Sequence, residues 1–567
     1  MNQPVSTTGP QLRVKRNRYD GLGVPELGRW SPDRVVSVVI PAYGAQDKLD
    51  VTLAALAAQT YPAHLLDVVV VDDGSAPPLR LPQVRPERTR LIANSPGSWG
   101  IASAVDAGVE AAEGEVVLRL DSDVIAEDRH VEAHARWHQD VDYCVVIGNL
   151  AFVEIEGIAL DPVKVRAAVE ARDPESFFGP QETGESWEAA LLERSDRLLD
   201  DELHAYSVTN GATVSFTKAL YRRSGGLDTA LRLGSDTELG YRQAQAGAVF
   251  VPDAAARAWH LGRSQLQSRN EEGKRYRQPF VANRVPTLRY LRAHPGIAWG
   301  VPYVEVVVEA GGAAFEAVTA SVASALSGTL SDVRVSLVGP WSSLKDDRVR
   351  PLDDPQLDLR LIREVFAGDS RVSYVEEAAV TAAPAPFRLT LGAGTVLRPD
   401  GLRDLVAVAD KERVGRVKCL VGTFGDEPAA VLDRTAALAR ALDTQGPGED
   451  LDTAIDESWG LWWADGEGWF GDWAEEDASR PPSHLLQRTA SLEASIRRLE
   501  AREEELRQRI TRWNRAGNAA RDEAKEWEQA ARHWRQASDA WQGSGKAPAR
   551  RSFTQRVKGR LRRGLGR

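Results

Sequence analysis

The chain has 567 residues, 43% of them hydrophobic and 27% charged, which is too long for a single core and ordinary for a globular protein in water. Two cysteines, Cys144 and Cys419, exclude a disulfide framework or a cysteine-based zinc site; no apolar run exceeds strand length, so neither a transmembrane helix nor a signal peptide is expected. The net charge of −11 hides a split: residues 546–567 carry nine Lys or Arg and no acid, leaving −20 on the remainder, so a polyanionic partner is expected for the tail alone.

Residues 1–34 are polar and rich in Gly and Pro, and are expected to lie as an arm over the first domain. The run Val35–Ile40 then reads as a buried strand, ended by Pro41-Ala42-Tyr43-Gly44. A helical pattern (Leu49, Leu53, Leu56) follows and closes at Gln59-Thr60-Tyr61-Pro62. A second strand, Val68 to Val71, ends in Asp72-Asp73-Gly74-Ser75, and residues 100–112 read as a helix. The strand Val116–Leu120 comes next and stops at Asp121-Ser122-Asp123. This β-α-β-α-β order predicts a largely parallel sheet with its ligand crevice at the carboxyl ends of the strands. Two carboxylates separated by one small residue can hold a hard divalent cation there, although the same triplet also serves as a simple turn. Neither G-x-G-x-x-G nor G-x-x-x-x-G-K-[ST] occurs, which disfavours both common phosphate loops. What remains is a nucleotide held by acidic strand ends and a metal.

These motifs continue downstream as Thr209–Phe216, Gly225–Asp228, Asp236–Arg242, Val251–Asp253 and Trp259-His260. In this order the set resembles the family 2 glycosyltransferases of the GT-A fold, over roughly residues 34–290. The resemblance implies an inverting, metal-dependent transfer of a sugar from a nucleotide-diphosphate donor to a hydroxyl, with Mn²⁺ or Mg²⁺ neutralising the departing diphosphate. It implies that Asp123 binds the metal directly, that Asp121 assists through the sugar or a water, and that His260 is a further ligand, which tilts the choice towards Mn²⁺. It places the nucleotide base against Pro41, Ala42, Tyr43 and the Asp72/Asp73 pair, and assigns the general base to Asp236. The chain departs from the family at Ser235, where a Glu usually precedes that Asp, and the acceptor contacts of that Glu are in question. Plainer readings stand beside these: Asp72 and Asp73 as a turn, His260 as a packed histidine, Asp236 as a helix cap. His130, His134 and His138 share one helical face at metal-ligand spacing, but no carboxylate or cysteine companion is evident, so a solvated or packing stripe is expected.

From Tyr303 the strand-helix-strand order recurs at similar spacing, with Gly339-Pro340-Trp341-Ser342 in place of Asp72–Ser75. Arg388–Gly394 then resembles Arg119–Asp123 with both carboxylates gone. This reads either as a degenerate GT-A-like copy or as an unrelated α/β domain. The Trp-rich stretch Trp459–Trp473 could stack sugars or fill a domain interface. Beyond Pro481, apolar residues recur every seven from Leu485 to Trp541, the pattern of a coiled coil, and Phe553, Val557, Leu561 and Leu565 line a basic tail suited to anionic lipid.

The expected organisation is an arm (1–34), a GT-A domain (35–295), a second α/β domain (300–478), a coiled-coil helix (483–542) and a basic tail (546–567). The expected partners are a nucleotide-diphosphate sugar, a glycan or lipid-linked acceptor of cell-envelope synthesis, and a second copy of the chain through the coiled coil. An anionic membrane surface is a further expected partner through the tail, and nucleic acid is not. The expected location is cytoplasmic, peripheral at the inner face of the cell membrane. A non-catalytic sugar-nucleotide-binding scaffold is the competing class; a nucleotidyltransferase would want a Gly-rich activating loop, and none is present.

Overall fold

The computed structural model describes residues 11–173, 175–178, 187–262, 269–292, 297–345, 350–420 and 428–471, together with 529 and 532. The coiled-coil heptads and the basic tail expected from the sequence therefore lie outside the described residues, these two apart.

Two large sheets organise the described chain. The first contains β1 (Val36–Ala42), β2 (Leu66–Asp72), β3 (Thr89–Ala93), β4 (Val116–Leu120), β5 (Val124–Ala126), β6 (Cys144–Val153), β7 (Thr213–Thr217) and β8 (Val249–Leu261), in the spatial order β3-β2-β1-β4-β7-β6-β8-β5. Its first four strands are parallel, and β7 then runs antiparallel against both β4 and β6. β1 and β4 are buried along their whole length because crossover segments, including helices Gln46–Leu56 and Ile101–Ala111, cover both faces. This is why they read as continuous Val/Ile/Leu runs rather than alternating ones. Pairing of β6 with β8 shifts register after Gly148, jumping from Asp253 to Arg257, and β8 continues beyond this irregularity to pair with β5.

The second sheet contains β9 (Val304–Glu309), β10 (Val333–Val338), β11 (Val372–Val375), β12 (Phe387–Leu391), β14 (Arg416–Leu420), β15 (Ala430–Arg434) and β16 (Leu461–Asp465). A small ribbon pairs β13 (Val396–Leu397) with β17 (Phe470–Gly471). The spatial order β11-β10-β9-β12-β15-β14-β16 repeats the first seven positions of the first sheet, from β3 to β8, with the same strand directions, and among the described residues lacks a counterpart of β5. Even the register agrees: Val304 sits opposite Phe387 as Val36 sits opposite Val116. By that register Gly392 and Gly394 occupy the places of Asp121 and Asp123.

The N-terminal arm does more than cover the first sheet. Asn17 donates to the Leu198 and Phe250 carbonyls, while Arg13 pairs with Glu449 at 2.7 Å and Arg16 N donates to the Ser458 carbonyl. Between the sheets lies Arg440, 1% exposed, which donates to the carbonyls of Gly247 (2.8 Å), Ala248 (2.8 Å), Val14 (3.1 Å) and Arg16. Its guanidinium lies over the rings of Tyr143 and Trp459, so Trp459 fills this interface. Burial pushes the Arg440 pKa down to about 10. Gly247, at φ +88°, leaves the space that a Cβ would take from the Arg440 backbone.

Candidate active site

The carboxyl ends of β2, β1 and β4 meet on one edge of the first sheet, and the acidic residues lie along it. Asp72 ends β2 opposite Ala42. Its two oxygens accept from the N–H groups of Ser75 (2.8 Å) and Leu79 (3.0 Å). Partial burial pushes its pKa up, but the hydrogen bonds from Ser75, Leu79 and Gly74 outweigh this and hold it below its usual value. Asp73 accepts from Asn94 Nδ2 (2.6 Å) and Gly100 N (2.7 Å), tying β2 to the start of helix Ile101–Ala111. Asp72 thus builds the turn, and Asp73 anchors the loop beside it. Pro41 and Ala42 are buried in β1, whereas Tyr43 is 72% exposed at its end, free to lie against a flat ring.

Asp121 follows β4. Its Oδ1 meets Arg119 at 3.3 Å, and burial, opposed by Arg119 and reinforced by Asp123, raises its pKa. Asp123 lies one step before β5, which pairs antiparallel with β8 so that Val124 faces His260. This register sets Asp123 Oδ1 at 3.3 Å from His260 Nε2. The other oxygen, Oδ2, accepts from Lys48 Nζ at 3.1 Å. His260 Nδ1 lies 3.0 Å from the Gly262 carbonyl, which can only accept, so the proton of the neutral ring belongs on Nδ1. The Nε2 lone pair then faces a carboxylate oxygen. With the ring in that tautomer, His260 Nε2 and Asp123 Oδ1 could both ligate a divalent cation, whereas a protonated ring would make the same 3.3 Å contact an ion pair. Among the described residues no group of three or more His, Cys, Asp or Glu surrounds one point, so the protein would supply Asp123 and His260, leaving further positions to water and ligand oxygens.

Asp236 is the second residue of helix Ser235–Gln245, whose N-cap is Gly234 at φ 84° with no side-chain cap, so Asp236 is not the helix cap that its sequence position allowed. Its Oδ1 accepts from the adjacent Thr237 N at 2.8 Å. It lines a small pocket with Arg119, Asn210, Val105, Leu227 and Gln243. Arg119 therefore touches both halves of the site, bonded to Asp121 and lining the pocket of Asp236. It fits only because residue 211 is glycine: a Cβ there would fall 2.0 Å from the guanidinium. The neighbouring Ser235 is buried, and the nearest glutamate, Glu238, is spent on Arg242 at 2.6 Å.

Lys48 and Arg119 escaped the motif reading. The signals were present: a cation inside the apolar β4 run, and a lysine in the first turn of a helix. The three histidines are a packing stripe, each fully buried. His130 Nδ1 donates to the Arg257 carbonyl (2.9 Å), and the alternation then runs through Thr213 Oγ1, His134, Ser215 Oγ and His138. That first carbonyl dictates every later tautomer and leaves His138 Nδ1 as a lone pair without a partner. Burial pushes His130 down to about 4 and His138 to about 3, and holds His134 well below its usual value.

Among the described residues no helix is long and apolar enough to cross a membrane. A chondroitin synthase of Pasteurella multocida (strain Pm70) is 23% identical over 408 residues, covering 68% of this chain and 41% of the relative. The validoxylamine A glucosyltransferase of Streptomyces hygroscopicus subsp. limoneus is 34% identical over 133 residues, covering 23% of this chain and 28% of the relative. This chain thus spans less than half the length of either relative. A solved mannosyltransferase of Pyrobaculum calidifontis, in complex with GDP-Man and Mn²⁺, aligns at TM-score 0.30 and 17% identity, covering 49% of this chain and 70% of that one. Residues 37–195 match the family described as Glycosyl transferase family 2, and this chain carries a domain of that family there.

Proposed function

We propose that residues 35–295 form an inverting transferase that moves a sugar from a nucleotide-diphosphate donor to a hydroxyl of a glycan or lipid-linked glycan of the cell envelope. The observation that carries this reading is the facing of Asp123 Oδ1 and His260 Nε2 at 3.3 Å, at the acidic strand edge of a family 2 domain. Tyr43, exposed above Pro41 and Ala42, offers a face to the nucleotide base, and the Asp73 loop closes beside it. Mn²⁺ or Mg²⁺ held by Asp123 and His260 supplies Lewis acidity towards the departing diphosphate. Asp121, kept in place by Arg119, orients the donor from the same edge. Asp236 takes the proton of the incoming hydroxyl; one of its oxygens is tied to Thr237 N, and the other has no hydrogen bond among the described residues. Inversion requires that base to act on the face opposite the leaving group.

The second sheet, on this reading, is a degenerate GT-A copy in residues 300–478: it keeps the strand order and register but has Gly392 and Gly394 where the carboxylates stood. It would hold no metal. The test of the whole reading is titration of UDP, GDP and TDP with and without Mn²⁺. Wild type is expected to bind one of them in a metal-dependent manner, and Asp123→Ala is expected to lose that dependence. Binding in the variant as tight and as metal-dependent as in wild type would refute the site.

A further inference from the structure

Lys48 stands where local preference would not put it. It lies in the first turn of helix Gln46–Leu56, where the exposed N–H groups favour a carboxylate over an ammonium. That helix is entered through Ala45 at φ 44°, a left-handed conformation unfavourable for a residue with a Cβ, and it has no side-chain cap. The outcome of this entry is an ammonium set into the metal edge. Lys48 Nζ donates to the Leu261 carbonyl at 2.7 Å and to Asp123 Oδ2 at 3.1 Å, and its side chain is 25% exposed. Two of its three donors are used, and the third is left over. Asp121 offers no relief, because Arg119 engages it in the same way. Among the described residues an incoming divalent cation therefore meets two ligating side chains, one of them already neutralised by a fixed positive charge.

We propose that Lys48 is a resident counter-ion that makes binding of the divalent cation and of the nucleoside diphosphate depend on each other. In the free protein its ammonium neutralises Asp123 and opposes a divalent cation. A diphosphate offers that ammonium a more highly charged partner, frees Asp123 Oδ2, and brings the oxygen ligands that two side chains alone do not provide. Linkage makes the effect reciprocal, each ligand binding more tightly in the presence of the other. This inference rests on the assignment of Asp123 and His260 as metal ligands.

The experiment follows free Mn²⁺ by electron paramagnetic resonance while the full chain is titrated, alone and with saturating UDP, GDP or TDP. In wild type Mn²⁺ should bind weakly without nucleotide and at least about tenfold more tightly with the nucleotide that fits. Lys48→Met should bind Mn²⁺ without nucleotide about tenfold more tightly than wild type, bind that nucleotide more weakly in EDTA, and show a coupling reduced by about tenfold, what remains being the diphosphate's own oxygen ligation of the cation. Lys48→Arg, which keeps the charge, should keep the coupling, and Lys48→Gln replaces the methionine variant should that one fail to fold. Unchanged Mn²⁺ affinity and unchanged coupling in the uncharged variants overturn the role of Lys48. Asp123→Ala separates the two levels: loss of coupling there with no effect at Lys48 overturns this inference alone. Wild-type coupling in Asp123→Ala, or no Mn²⁺ response in wild type with any of the three nucleotides, overturns the metal site with it.

Discussion

Asp236 and Arg119 share a pocket but answer to different neighbours. Asp236 has one oxygen bonded to the adjacent Thr237 N, a bond that Asn can keep while the proton acceptor is removed. Asp236→Asn is therefore expected to leave nucleotide binding near wild type and to slow transfer by about 10²-fold or more, measured with an accepted glycan or, less cleanly, as donor hydrolysis. Near-normal transfer would remove Asp236 from the chemistry. Arg119 is confined by the absence of a Cβ at Gly211. Gly211→Ala should displace the guanidinium and destabilise the protein by about 1–3 kcal/mol, read in a denaturant titration. Asp121 should lose its partner in the same variant, so nucleotide affinity should fall along with stability.

At the scale of elements, the segment His130–His138 is held to β7 by an alternating imidazole and hydroxyl chain that works only while all three rings are neutral. Their folded pKa values lie below the unfolded value of about 6.5, so the unfolded state binds more protons as pH falls. Stability is thus fully present above about pH 6.5 and declines below it, levelling off only near the folded values of about 4 and about 3. For His130 and His138 the slope is about 1.4 kcal/mol per pH unit, or about 2 kcal/mol each by pH 5, and His134 acts in the same direction. Denaturant unfolding at pH 7.5 and pH 5 checks this. His138→Gln, which removes one titrating ring, should shrink the difference by roughly a third. An unchanged difference would mean that acid acts elsewhere.

At the scale of the whole molecule, two sheets of one topology are joined through Arg440, whose guanidinium satisfies four backbone carbonyls from the arm and the first sheet. Helix Ser235–Gln245, which carries Asp236, is also attached to the second sheet's side, since Tyr241 Oη donates to the Pro384 carbonyl. Removing the guanidinium leaves those carbonyls without partners. Arg440→Ala should cost about 3 kcal/mol or more and split thermal unfolding into two transitions as the sheets lose their common interface. Arg440→Lys should recover little of this, because an ammonium cannot span four carbonyls in a planar fork. A single transition at the wild-type midpoint would show that the sheets are held together by other contacts. For residues 483–542 the heptad pattern still predicts self-association, and light scattering before and after deletion of residues 480–567 decides it.

Short-range pattern was enough for the strand runs, their parallel order, and the acidic residues that close them. A buried strand declares itself within five or six residues, and Asp121 and Asp123 follow one such strand directly. The repeat in the second half was legible for the same reason, since β9, β10 and β12, at six, six and five residues, come close to the seven, seven and five of β1, β2 and β4. What only the tertiary structure decided is which groups those carboxylates face. His260 meets Asp123 because β5 and β8 pair in one register, and a shift of one residue would have turned the imidazole to the other face of the sheet. Lys48 reaches the same carboxylate across 75 residues of sequence, and Arg440 reaches the arm across more than 420. Contacts at such separations leave no periodicity in the chain: a lysine in a helix's first turn and an arginine in an apolar helix look like surface residues until the fold encloses them. The same holds for the three histidines, whose spacing allowed a metal, solvent or packing, and whose burial against β7 selected packing.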